Sequence, residues 1–243
     1  MLAAIKQWWN VVVGLVYPAN CAVCKQPREP EADSALCPSC RRQMRPIHRP
    51  FCERCSLPFD GVADGAFRCS NCADKNYYFH HAVCGCRLTG VARECVHQFK
   101  YQHALWIGPE LAELMIAAAR ERIEWPKVDM VVPVPLFPSR QRERGFNQAE
   151  WLARRLVRAL PAPLCKGNLR RVRETDNQAL LNAAERIENV RGAFAVRDPR
   201  PFLKRRLVLV DDVFTTGATT NECARVLLDA GAESVIVLTV GRG

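Results

Sequence analysis

Nothing in this sequence approaches the roughly 20 consecutive apolar residues that a helical membrane span requires. The apolar stretch at residues 11–17 is set apart from its predecessor by Asn10 and stops at Pro18. A secretory leader is lacking as well, because Lys6 sits among apolar residues rather than ahead of them and no small-residue cleavage site precedes Cys21. Both absences predict a cytoplasmic protein with reduced thiols, and they argue against a secreted disulfide framework. Low-complexity tracts are missing too. With 49% hydrophobic and 25% charged residues in a chain of 243, the composition is that of a globular protein and excludes a disordered or collagen-like one. Acidic residues are in short supply, 25 against 35 Lys and Arg, and no Ser-His-Asp set is evident.

Cysteine is scarce only in the last two thirds of the chain. Of thirteen, eight lie between Cys21 and Cys72, three follow at Cys84, Cys86 and Cys95, and Cys165 and Cys223 complete the set. The eight form four Cys-x-x-Cys pairs: Cys21/Cys24, Cys37/Cys40, Cys52/Cys55 and Cys69/Cys72. Twelve residues separate the first pair from the second, and thirteen the third from the fourth. Each such turn presents two thiolates to one ion and two turns complete a tetrahedral set, so the spacing predicts two zinc ribbons. Sequential pairing is the simplest arrangement, and spacing leaves an interleaved one open. An iron–sulfur cluster is the lesser alternative, since the ligands come as regular pairs rather than clustered runs. A four-thiolate site has no open coordination position, which makes the two Zn2+ ions structural. His48, His80 and His81 are surplus to these sets, and Cys84 and Cys86 read as core or surface thiols.

The texture of the chain changes twice. Residues 1–17 place Ile5, Trp8, Trp9, Val12 and Val16 on one helical face and predict a docking helix. Residues 18–80 are short-patterned and rich in Pro and Cys, as a metal-stapled module would be. From residue 81 to 243, helix-like stretches near 109–125, 147–160 and 217–230 alternate with apolar runs at 128–134, 207–210 and 234–240 that read as buried parallel strands. The expected fold class is α/β, a parallel sheet flanked by helices behind a small double zinc-ribbon module.

One segment carries the chemistry. Residues 207–219, LVLVDDVFTTGAT, read as a buried strand with Asp211 and Asp212 at its carboxyl end and a Thr-rich turn into a helix, the place where open α/β sheets bind ligands. Backbone N–H groups and Thr hydroxyls of such a turn surround a phosphate, Gly217 allows close approach, and the helix N-terminus adds partial positive charge. The two acids repel a phosphate, so they suit sugar hydroxyls or a Mg2+ ion.

This segment resembles the 5-phosphoribosyl-1-diphosphate (PRPP) motif of the type I phosphoribosyltransferases. The resemblance implies that Asp211 and Asp212 contact the ribose and that Thr215, Thr216, Gly217, Ala218 and Thr219, following Val213 and Phe214 in the same motif, hold the 5-phosphate. Two further segments, 131–136 running into 140–148, and 170–178 followed by 186–190, together with the cysteine module, are similar over nearly the whole chain to the ComF family of double-zinc-ribbon competence proteins. The loop containing Pro133, Val134 and Pro135 resembles a pyrophosphate-binding loop, and the region from Arg170 to Arg186 a mobile loop that closes over PRPP. Arg140, Arg142, Arg144, Arg171 and Arg173 are the candidate pyrophosphate partners, because guanidinium groups pair bidentately with phosphate oxygens. Arg144 and Arg173 join the two aspartates as candidate catalytic groups. Lys100 lies in another segment similar to the family.

Two functions fit. A PRPP-binding factor in competence, working with single-stranded DNA and other competence proteins, is implied by the resemblance. The alternative is an active phosphoribosyltransferase with Mg2+ and a nitrogen acceptor, whose chemistry rests on positioning and charge stabilisation. Phe51, Phe59, Phe67, Tyr77, Tyr78 and Phe79 offer stacking surfaces for bases, although packing against small zinc cores is the commoner use of such rings. Residues 137–206 carry 17 Lys and Arg against 7 Asp and Glu, an excess equal to the +10 of the whole chain. The basicity therefore collects where both proposed pyrophosphate-facing loops lie, which weakens it as a sign of DNA binding.

Overall fold

A computed structural model describes residues 20–28, 34–61, 65–73, 75–175 and 182–243. The docking helix expected over residues 1–17 lies outside them. The cysteine-rich part contains two short helices, α1 (Pro38–Gln43) and α2 (Ser70–Ala73). The remainder runs β1 (His81–Arg87), α3 (Gly90–Tyr101), α4 (Gly108–Arg122), β2 (Met130–Pro133), α5 (Pro138–Arg144), α6 (Gln148–Ala159), β3 (Leu169–Arg171), α7 (Ala183–Val190), β4 (Phe194–Val196), β5 (Arg206–Phe214), α8 (Ala218–Asp229) and β6 (Ser234–Arg242). Among the described residues no helix is long and apolar enough to cross a membrane.

Four strands make one parallel sheet in the order β1-β6-β5-β2, while β3 and β4 pair antiparallel apart from it. Alternation along the strands gives the sheet two apolar faces: Leu207, Leu209, Val235 and Val237 on one, Val208, Val210, Leu238 and Val240 on the other. Each face needs a cover. Cys223, Ala224 and Leu227 of α8 cover the first, and Leu111 and Met115 of α4 with Leu152 and Leu156 of α6 cover the second. The cysteine-rich part is shared between the faces, Leu36 and Met44 joining the α4/α6 side and Ile47 and Phe51 the α8 side.

Two differences from the sequence expectation matter for the site. The strand expected to stop at residue 210 continues to Phe214, still paired with β6 through Asp211 opposite Thr239 and Phe214 opposite Arg242. Its other neighbour, β2, ends at Pro133 opposite Val210. The acidic pair is therefore inside a strand that overhangs its neighbour, and the overhang opens one edge. The second difference is β1, where Cys84 and Cys86 are fully buried in a strand too rich in Cys, Gly and Ala to read as an apolar run.

Candidate functional site

The cysteines assemble sequentially: Cys21, Cys24, Cys37 and Cys40 form one cluster, Cys52, Cys55, Cys69 and Cys72 the other, all sulfurs of a cluster within 4.8 Å of one another. This removes the interleaved pairing. Four sulfurs about 2.3 Å from a central ion at tetrahedral angles stand about 3.8 Å apart. Cys24 and Cys37 are separated by 3.6 Å, Cys55 and Cys69 by 3.7 Å. Both clusters fit structural zinc sites. In each cluster backbone N–H groups draw one thiol down against burial, Cys21 to about 6 and Cys52 to about 7, while burial pushes Cys40, Cys55 and Cys72 up.

Beyond the end of β2 lies a cavity of about 240 Å³, walled by the β2–α5 loop, the overhanging part of β5, the start of α8 and the ends of α3 and α5. It brings together Asp211, Asp212, Val213, Thr215, Thr219, Val134, Pro135, Arg140, Arg144 and Arg171 of the expected set. The Asp211 side chain accepts from the Asp212 N–H at 2.8 Å, and Lys100 makes an ion pair with Asp212 at 2.9 Å. Burial and the neighbouring Asp212 charge push the Asp211 carboxyl up to about 7, against the opposing pull of Lys100 and Arg171. Gly217 takes φ +79° at the N-cap of α8, where it supplies no capping side chain, a helix start suited to an anion.

Several other residues of the expected set do not line the cavity. Arg140 and Arg144, four residues apart on α5, share the face turned to the cavity, whereas Arg142 lies on the opposite, exposed face. Arg173 does not line the cavity: its guanidinium donates to the carbonyls of Asn189 and Arg191 at 2.9 and 2.8 Å and so ties down the end of α7. Pro133 is buried within β2, and Phe214 and Ala218 are buried beneath the turn. The Thr216 hydroxyl accepts from the Ala218 N–H at 3.4 Å, shaping the turn from within. Close approach at Gly217 is to the protein itself, since a Cβ there would stand 2.6 Å from the Phe214 ring. Of the aromatic residues considered for stacking, Phe51 and Phe79 are buried, Phe59 and Phe67 contact each other at 5.1 Å, and Phe59 and Tyr78 keep large exposure. Residues 176–181 of the expected mobile loop lie outside the described residues.

Comparison with known proteins gives a family model, the double zinc ribbon domain, matching residues 12–73. Competence protein F of Haemophilus influenzae is 32% identical over 217 residues, covering 87% of this chain and 92% of its own. The chain belongs to the ComF family. DNA utilization protein YhgH of Escherichia coli K12 is 30% identical over 92% of this chain and 96% of its own, and competence protein ComFC of Bacillus subtilis is 36% identical over 46% and 44%. Among solved structures, an allosteric regulatory enzyme of purine biosynthesis overlaps 55% of this chain and 26% of its own at 21% identity, with a TM-score of 0.38. An overlap of that size assigns no site.

In this ComF-family chain, three polar residues of the cavity, Asn147, Gln148 and Tyr101, were not among the expected site residues. Asn147 caps α6, accepting from the Ala149 and Glu150 N–H groups, and donates to the Val134 carbonyl at 3.0 Å, so one amide fixes both the loop and the helix start. Gln148 is 1% exposed and accepts from Arg144, while its Nε2 has no partner. Tyr101 lies under the Arg144 guanidinium, 4.9 Å from the ring centre. Asn147 and Gln148 close the segment 140–148 that is similar to the family, and Asn147 also stands one residue ahead of an amphipathic run, a helix N-cap; Tyr101 follows Lys100 with no signal of its own.

Proposed function

We propose that this chain binds PRPP in the cavity at the end of β5 and acts in competence or DNA use, with single-stranded DNA and other competence proteins as its partners and the cytoplasm as its setting. Residues 18–80 form the zinc-binding module with two structural Zn2+ ions, residues 81–243 the PRPP-binding domain. The observation that carries the reading is a cavity lined by Arg140, Arg144, Arg171 and Arg186 together with two aspartates, one of them paired with Lys100, a lining suited to an anionic ligand with sugar hydroxyls. Three buried donors among the described residues lack a partner, and two of them, Gln148 Nε2 and Arg171 Nε, belong to this lining. Buried donors are rarely left so, and phosphate oxygens would satisfy both. In this reading Thr215, Thr219 and the α8 N-terminus hold the 5-phosphate, the arginines the pyrophosphate, and the aspartates the ribose hydroxyls and Mg2+.

Calorimetric titration with PRPP, with and without Mg2+, tests this. The combined Asp211→Asn and Asp212→Asn change is expected to abolish binding while two zinc ions stay bound; unchanged affinity in that variant refutes the assignment. A second reading, turnover, is favoured by Arg140, Arg144 and Arg171 on the cavity wall, cations that would stabilise a departing pyrophosphate. It requires pyrophosphate release when PRPP meets a panel of bases, amines and single-stranded DNA, whereas a sensor binds PRPP and releases none.

A further inference from the structure

The two cysteine clusters stand in different relations to the cavity. The first touches α3 and α4: Gln98 donates to the Ala22 carbonyl at 3.1 Å, and Arg41 pairs with Glu113 at 2.8 Å. The second reaches the phosphate turn itself. Arg54, between Cys52 and Cys55, donates to the carbonyls of Tyr77 and His80, both at 2.7 Å, and so clamps the segment that leaves the cluster. The Tyr77 hydroxyl lies against the Cys72 thiol and donates to the Thr216 carbonyl at 3.4 Å. Next along the segment, the Tyr78 N–H donates to Asn221 in the first turn of α8 at 2.7 Å. Phe79, fully buried, stacks on Tyr77 at 4.7 Å and meets the Phe214 ring edge-on at 5.8 Å. Phe214 is the ring that fills the space a Cβ at Gly217 would need.

We propose that the second four-cysteine cluster holds the phosphate-binding turn in shape, with Tyr77 and Phe79 as the strut, so that metal in that cluster and phosphorylated ligand in the cavity strengthen each other's binding. The inference rests on the reading of the cavity as a PRPP site. Its physical basis is order: residues 215–217 form a turn with one left-handed residue, and a turn already fixed loses less freedom when it closes on an anion. Thr216 is held through its carbonyl by Tyr77, and the Phe214 ring beneath Gly217, itself on β5, is met edge-on by Phe79; Tyr77 and Phe79 both belong to the segment that the second cluster anchors. The first cluster makes no such contact with residues 215–217 among the described residues. Coupling of this kind is reciprocal. Bound PRPP therefore tightens one zinc ion and leaves the other unchanged.

The test uses the full zinc-loaded chain with PRPP and Mg2+. In equilibrium competition with a chelating dye, saturating PRPP is expected to tighten one of the two zinc ions about fivefold or more and to leave the other unchanged. Tyr77→Phe, which keeps the ring, is expected to retain two zinc ions, weaken PRPP binding about three- to tenfold, and speed amide exchange in the 215–220 turn. Arg41→Ala, at the first cluster, is expected to change none of these. Failure of the unaltered protein to bind PRPP overturns the reading of the cavity. Normal PRPP binding with both zinc ions equally indifferent to it overturns the strut alone, and does so without any variant that must fold.

Discussion

Asp211 sits in an environment far from water, beside a second carboxylate, and a titration can read the effect. Its carboxyl stands near 7 in the folded chain, against about 3.8 when unfolded, because burial and the Asp212 charge outweigh Lys100 and Arg171. The sign follows from proton counting: between pH 4 and 7 the folded chain holds a proton that the unfolded chain has released, so stability falls as pH rises through that window. Removing the charge should therefore help most where the carboxylate is fully ionised. Asp211→Asn, free of ligand and metal, is expected to exceed the unaltered protein in stability by ~1–2 kcal/mol at pH 8, and by less at pH 5, after allowing for solvent reaching part of the cavity. Melting temperature across that range measures it, and a difference flat from pH 5 to 8 removes the argument. A residue that destabilises the empty protein is a familiar mark of a binding site. The repeated Asp in the sequence pointed to the site. The strain between the two carboxylates comes from burial and is only partly relieved by Lys100, more than a hundred positions earlier, and neither was legible there.

Helix α5 shows what a linear motif conceals. The run from Arg140 to Arg144 presents three arginines at every second position, and in a loop all three can face one anion. Pro138 at the first turn and Gly145 at φ +71° close it into a helix instead, which turns Arg142 away from Arg140 and Arg144. Alanine at Arg140 or Arg144 is expected to weaken PRPP binding at least tenfold, as loss of a charge-assisted contact does, whereas Arg142→Ala should change it less than twofold. Equal losses at all three positions in calorimetry would refute the helical face. The same limit explains Arg173. Arginine next to a turn reads as a phosphate ligand in sequence, but in the fold the nearest acceptors are the carbonyls at the end of α7. Strands β5 and β6 and helices α6 and α8 were legible because their apolar period is regular. β1 was not, because its burial rests on small residues and thiols, whose pattern does not announce a strand.

At the scale of the whole molecule, the cysteine-rich part shares in the cores on both faces of the sheet rather than standing as an attachment to a finished domain. Leu36 and Met44 from one side of the cysteine-rich part, and Ile47 and Phe51 from the other, are each at most 7% exposed and belong to the clusters that cover opposite faces of the same sheet. Burial of four such side chains corresponds to ~6–12 kcal/mol in area terms, comparable with the entire net stability of a domain. Four-cysteine zinc sites unfold when the metal leaves, because the folded ligand set exists only around it. Zinc removal is therefore expected to reach the sheet. Elemental analysis of the purified chain should give two zinc ions. Chelation should convert one cooperative calorimetric transition into one lying at least 10 °C lower, the size of shift that a few kcal/mol produces in a chain of this length. A count of one or none overturns the paired-cluster assignment. Two zinc ions whose removal melts a small separate transition, leaving the main one in place, would instead mean that residues 81–243 bury their sheet without help, and that the shared faces add contact but little stability.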